Sequence, residues 1–166
     1  MDDVPTSPRL TFRRMHAADV DAMARLLGDP AVMVHYPRPK TRDEAADWIA
    51  WSERNYARDG FGLWMLHDRA GEFVGECGLT WQRVDGEEYL EVGYHLLPEH
   101  QGKGLATEAA AACRDFARTR GIGRLVAIIV PDNHPSKRVA QRIGLVLDRE
   151  SVTSKGAPIH VYAADL

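Results

Sequence analysis

At 166 residues, with ordinary apolar and charged fractions and a net charge of −3, the chain reads as a single domain (residues 1–166) long enough to bury a substantial core. That charge gives no reason to expect a nucleic acid or an anionic membrane as partner, and no apolar run is long enough to span a bilayer. Cys77 and Cys113 match no metal or redox spacing and the opening MDDVPTSPRL has no signal-peptide pattern, so a reduced, cytoplasmic protein without a metal site is expected.

In chain order, residues 10–14 alternate apolar and polar as a strand does, and 19–27 carry Val20, Met23, Ala24 and Leu27 on one helical face. Gly28 and Pro30 stop that helix. After the rigid loop His35–Tyr36–Pro37–Arg38–Pro39, Thr41 and Glu44 form a capping box for a second helix. It has Ala45, Trp48, Ile49, Ser52 and Tyr56 at helical spacing and ends at Gly60. Residues 61–67, 72–82 and 87–97 then read as three strands of an antiparallel meander, the last two joined by the hairpin signal Asp85–Gly86. A helix to about Thr119 follows, with Leu105, Ala109, Ala112, Cys113 and Phe116 as its buried stripe. The wholly apolar run 125–130 suits a strand buried on both faces, reached by a parallel crossover. A short helix capped by Asp132 or Asn133 and a hairpin of 146–152 with 159–164 complete the chain. The expected class is α+β (mixed α/β): a mostly antiparallel sheet with one parallel βαβ unit.

The stretch from Glu91 to Glu108 organises this pattern. A strand runs through Gln101–Gly102–Lys103–Gly104–Leu105–Ala106 into a helix, and the first N–H groups of a helix favour an anion. Gly102-x-Gly104 is not a dinucleotide fingerprint, because Thr107 fills the third glycine position and the next strand ends without an acid. No Walker pattern is present.

Gln101-x-x-Gly104-x-Ala106, between a meander strand and a long helix, resembles the coenzyme A signature of the GNAT acyltransferases, and Asn133-x-x-Ser136 with Gly144–Leu145 resembles that family's second segment. The run from Glu91 to Ala109 is most similar to the branch of Rim-type ribosomal-protein N-terminal acetyltransferases. The resemblance implies the GNAT fold, splayed between the fourth and fifth strands, with acetyl-CoA as co-substrate. It implies a pyrophosphate on the backbone of Gln101, Gly102, Lys103, Gly104, Leu105, Ala106 and Thr107. A pantetheine arm would pair with Leu96 like an added strand, with Asn133 on its far side. A homodimer is common in the family.

An amine attacking a thioester must be neutral, and Glu91 is the candidate base. It shares a strand face with Tyr89, Gly93 and His95. A solvated or ion-paired carboxylate is the plain alternative. His95 reads as a packed structural residue, His100 and His134 as surface groups, and Gly93 as a bulge or close-approach position. The family's usual tyrosine acid falls at Ala140, so Ser136 is the candidate acid, with a helix-start hydrogen bond as the alternative. Tyr36, Trp48, Trp51, Trp64 and Trp81 offer aromatic lining for an acceptor pocket, although ordinary core is the leading reading of each tryptophan, and Asp43, Glu44, Glu87, Glu88 and Glu91 offer negative charge or form a solvated face. With no cysteine well placed, direct acetyl transfer to a primary amine in a ternary complex is expected. A non-catalytic acyl-CoA sensor or an enzyme using a longer acyl-CoA are the rivals.

Overall fold

The computed structural model describes residues 3–166. Seven strands, β1 (Thr11–Arg14), β2 (Leu63–His67), β3 (Phe73–Val84), β4 (Glu87–Leu96), β5 (Arg124–Ile129), β6 (Val146–Val152) and β7 (Pro158–Asp165), form one sheet in the order β1-β2-β3-β4-β5-β7-β6. Every pairing is antiparallel except β4 with β5. Four helices, α1 (Val20–Leu27), α2 (Arg42–Asp59), α3 (Leu105–Thr119) and α4 (His134–Arg142), cover it.

The helices divide between the two faces. Helix α3 lays Ala109, Ala110 and Cys113 against Cys77, Leu79, Leu90 and Val92, and the small side chains let it sit close to the strands. Helices α1 and α2 close the opposite face, with Met23, Leu26, Leu27, Ala45 and Ile49 packed on Leu63 and Met65. The capping box at α2 forms as its sequence predicts: the Glu44 N–H donates to the Thr41 hydroxyl at 3.2 Å and the Thr41 N–H to the Glu44 carboxylate at 3.0 Å.

Three local expectations shift, and the sheet order adds a fourth finding. A 3-10 turn over Ala17–Asp19 precedes α1, because Asp19 turns inward to pair with Arg13 at 2.7 and 2.9 Å. The buried stripe of α1 is Met23, Leu26 and Leu27, leaving Val20 and Ala24 half-buried. Gly93 is neither a bulge nor a close-approach point: the β3–β4 register runs unbroken through Gly78↔Gly93, and a Cβ on Gly93 would meet only Leu63 at 3.9 Å. Its partner Gly78 is the crowded one, since a Cβ there would lie 2.0 Å from the Gly62 carbonyl oxygen. Finally, the closing hairpin inserts its second strand beside β5. The order follows composition, because β7 buries Ile159, Val161, Tyr162 and Ala163, whereas the charged strand β6 suits an edge.

Candidate functional site

Strands β4 and β5 pair only at Leu90↔Leu125 and Glu91↔Val126 and then part. Strand β4 continues to Leu96 and β5 to Ile129, each bonded on its outer side to β3 or β7. Their inner edges face a wedge-shaped gap lined by main-chain N–H and C=O groups, which need partners. Glu91 stands at its apex. Its carboxylate accepts the Ile128 N–H at 3.1 Å and bridges the two strands where the ladder ends. Burial pushes the Glu91 carboxyl up to about 7, against the opposing pull of that N–H. A carboxylate poised there is suited to accept a proton at neutral pH.

At the wide end of the gap lies the turn into α3. Gly102 and Gly104 adopt φ of 75° and 78°, and no side chain caps the helix start at Gly104. A helix N-terminus with positive-φ glycines leading in and no competing side chain fits a phosphate-bearing ligand. The turn is braced from behind. Arg9 donates to the Lys103 carbonyl at 2.9 Å and to the Glu108 carboxylate at 2.6 Å, and the Ser7 hydroxyl donates to Glu108 at 2.8 Å. Burial opposes ionisation of Glu108, but the Arg9 and Ser7 donors outweigh it and hold the carboxyl below its usual range. Arg9 thereby offsets the one acid in the first turn of a helix offered to an anion. Gln101 turns back to donate to the Leu96 carbonyl at 2.9 Å, fixing the last residue of β4. Lys103 and His100 line a surface hollow beside the turn, with Arg25, Glu72, Phe73 and Glu99.

On the α3 and α4 side, Asn133 caps α4 by accepting the Ser136 N–H at 3.2 Å. The Ser136 hydroxyl donates to the Tyr94 hydroxyl at 3.0 Å, which donates to the Ser136 carbonyl at 2.8 Å. Tyr94 was passed over in the sequence, although strand alternation places it one residue beyond the Glu91–Gly93 face, pointing the other way. Burial raises its phenol well above the ordinary value. A hydroxyl pair from β4 and α4 thus stands where the position of Ala140, fully buried in the core, supplies none.

The face of β4 toward α1 and α2 carries a second arrangement that the sequence did not suggest. His95 Nδ1 lies 2.8 Å from Glu76 Oε1, Trp48 Nε1 donates to Glu76 Oε2 at 2.9 Å, and the Tyr36 hydroxyl lies 2.9 Å from His95 Nε2. Glu76 is completely buried. The signal was present: Glu76 is a charged residue in the otherwise apolar run FVGECGLTW, and a buried carboxylate requires donors. His95 is thus packed with both ring nitrogens hydrogen-bonded.

Of the remaining expected pocket residues, Trp48 packs edge-on to His95 and meets Trp51 at a 56° tilt with ring centroids 5.3 Å apart, and the Lys40 ammonium sits 5.3 Å from the Trp48 ring centroid. Trp64 is not pocket lining: it is fully buried between Phe12 and Phe116 on the opposite face. Trp81 lies at the surface with Arg58, Asp59 and Glu88. Glu44 is engaged by Thr41 and Arg38, and Glu87 accepts from the Tyr89 hydroxyl at 2.7 Å.

Comparison with known proteins extends this geometry. The family model described as an acetyltransferase (GNAT) domain matches residues 9–146. The protein YkkB of Bacillus subtilis is 36% identical over 93% of this chain and 91% of its own length. The crystal structure of an acetyltransferase from Agrobacterium tumefaciens superposes with a TM-score of 0.82 at 30% identity, covering 98% of this chain and 95% of that one. RimL, a ribosomal L7/L12 alpha-N-protein acetyltransferase solved with coenzyme A, shares the fold at a TM-score of 0.79 and 20% identity, covering 98% and 97%.

Proposed function

Because the chain belongs to the GNAT acetyltransferase family, whose members transfer an acetyl group from acetyl-CoA, we propose that it acetylates a primary amine directly, in a ternary complex, within the β4–β5 gap. The observation that carries this reading is Glu91 at the apex, its carboxyl lifted to about 7 by burial and facing an opening with main-chain edges on both sides.

The roles follow from position. The N–H groups of the turn Gln101, Gly102, Lys103, Gly104, Leu105, Ala106 and Thr107 hold the pyrophosphate, aided by the dipole of α3. The pantetheine arm occupies the gap as an added strand along β4 toward Leu96 and past Asn133. Glu91 takes a proton from the incoming ammonium, leaving the nitrogen lone pair free to attack the thioester carbonyl. Main-chain N–H groups on the open edges of the gap are candidate donors to the resulting oxyanion. On collapse, the carbon–sulfur bond breaks and the thiolate takes a proton from Ser136, whose hydroxyl turns from Tyr94, to which it donates, to deliver it and regains one from water. Coenzyme A thiol is acidic enough that this last step contributes less than the first.

A primary amine as acceptor agrees with RimL, named for acetylating a protein α-amine. Thermal shift with acetyl-CoA is the first test, since a ligand at about 100 times its Kd adds roughly 2.7 kcal/mol of stability. Thiol release from acetyl-CoA with a panel of L-amino acids, polyamines and N-terminal peptides then identifies the acceptor. Absence of any shift at millimolar acetyl-CoA rules out the reading. A shift without turnover on any amine points to an acyl-CoA sensor.

A further inference from the structure

The hydrogen-bond chain behind His95 has a direction that follows from its end groups. An indole N–H only donates, so Glu76 Oε2 accepts from Trp48. Between imidazole and carboxylate the proton belongs to the imidazole, the more basic group by about two pKa units in free form. His95 Nδ1–H therefore donates to Glu76 Oε1. In the neutral ring Nε2 then carries a lone pair, and the Tyr36 hydroxyl must donate to it. With its hydrogen committed inward, the Tyr36 oxygen has only lone pairs to offer.

That oxygen lies near enough to Glu91 for its charge to act on the Tyr36 phenol ahead of that of Glu76. On this face of the sheet the β3–β4 pairs are Glu76↔His95, Gly78↔Gly93 and Thr80↔Glu91. The glycine pair leaves a shallow trough, open at Gly93 and closed at Gly78 by the Gly62–Leu63 main chain, between His95 and Glu91, whose Cα atoms are about 13 Å apart along the strand. Added bulk on Gly93 would meet only the tip of Leu63. Tyr36 sits on the α1–α2 loop and is 39% exposed, so its edge is open to solvent. Burial and the charges of Glu91 and Glu76 all raise its phenol above the ordinary value, so it stays protonated and acts as an acceptor of hydrogen bonds rather than as a base.

We propose that Tyr36, oriented by the His95–Glu76–Trp48 chain, is a second catalytic residue on the acceptor side, accepting one N–H of the incoming amine over the Gly78–Gly93 trough while Glu91 takes another. The inference rests on the acetyltransferase reading. His95, Glu76 and Trp48 are positioning residues in it. Tyr36 holds one N–H while Glu91 removes the proton beside it, so the nitrogen lone pair is uncovered on the Glu91 side, at the apex of the gap, which is the orientation that direct transfer needs. Protonation of His95 would reverse the Tyr36 bond and turn the phenol hydrogen outward against an ammonium. The charged or titratable groups facing that ring are Glu76 from β3, Tyr36 from the loop and Glu91 from β4, with Lys40 beyond Trp48.

Two measurements test this. The first needs no acceptor: 15N NMR of the histidine rings at pH 8 reports which nitrogen of His95 carries hydrogen, assigned by loss of its signal in His95→Asn. Hydrogen on Nδ1 with a bare Nε2 is expected; hydrogen on Nε2 overturns the orientation. The second compares Tyr36→Phe and Gly93→Val with wild type, using the best amine from the panel. Each variant should raise the amine KM by about ten- to a hundredfold, the loss expected for a hydrogen bond to a charged group, with the Kd for acetyl-CoA unchanged. Unchanged amine KM and kcat in both variants overturn the proposal. A wild-type protein that fails to bind acetyl-CoA overturns the underlying reading instead, and the two failures are separate observations.

Discussion

The turn from Gln101 to Thr107 and the face around Tyr36, His95 and Glu76 are both organised by strand β4, yet they are built in opposite ways. The turn is made of main chain. Its geometry comes from positive-φ glycines at 102 and 104 and an uncapped helix start, and its recognition groups are consecutive N–H donors. The acceptor face is made of side chains from a loop, a helix and two strands, joined by contacts spanning 19 to 59 positions in sequence. A main-chain site tolerates change in most side chains but not in backbone angles. A side-chain relay tolerates backbone adjustment but not the loss of one link. The donor is the same molecule at every turnover, whereas the acceptor is what distinguishes one relative from another, so the rigid, generic construction and the composite one fall where each is useful.

Substitutions that strike one side and spare the other test this contrast. The largest effect is expected from Gly104→Val. A β-branched residue at φ 78° costs roughly 1–2 kcal/mol in strain alone and sets bulk against the Arg9 guanidinium, 3.5 Å from where its Cβ would lie, which braces the turn. Acetyl-CoA binding should weaken at least a hundredfold by calorimetry, while the His95 ring signals stay as in wild type. Next come Tyr94→Phe and Ser136→Ala, each lowering kcat about tenfold with acetyl-CoA affinity intact. The double variant should be no worse than about twofold below either single one, because the two hydroxyls act as one unit.

A stability measurement sharpens the assignment of Glu91. Its folded-state pKa, about 7, stands above the unfolded value near 4.3, so between these values the folded protein holds a proton that the unfolded chain has released. The stabilisation this gives is fully present below the unfolded pKa and lost as pH rises through about 7. Glu91→Gln, which never ionises, should therefore be more stable than wild type at pH 8 by about 3–4 kcal/mol in urea titrations, with the difference vanishing near pH 4. The smallest effect is expected from Arg9→Ala. It removes an exposed brace of the turn, worth about 0.2–1 kcal/mol, and should raise the acetyl-CoA Kd only a few-fold.

What could be read from the sequence follows the same division. Strand periods, the Thr41–Glu44 box, the Asp85–Gly86 hairpin and the glycine turn are local signals, and each stands where it was expected. The splay between β4 and β5 was implied only by family resemblance, since nothing in residues 91–96 alone marks where pairing stops. Tyr94 was missed because attention to Glu91, Gly93 and His95 followed one face of the strand, and the partner of Tyr94, Ser136, is 42 positions away. The relay was missed for a related reason. Glu76, His95 and Tyr36 each look unremarkable, and only the register Glu76↔His95 together with the loop across α1 and α2 unites them. Trp64 and Trp81 show the limit of composition: aromatic residues suit a pocket or a core equally, and of these one fills the core, as its leading reading expects, and the other lies at the surface beside Glu88.

The central claim, that the gap holds the donor while Glu91 at its apex deprotonates the acceptor, meets its most direct test in the Glu91→Gln enzyme. Acetyl-CoA affinity and the pH dependence of kcat are to be measured side by side with wild type. Wild-type kcat should rise with pH through about 7 and level off above it, as the carboxylate ionises. Glu91→Gln should bind acetyl-CoA as tightly as wild type, lose about a hundredfold or more in kcat, and lose that rise. Full turnover in Glu91→Gln with the same pH profile would contradict the account.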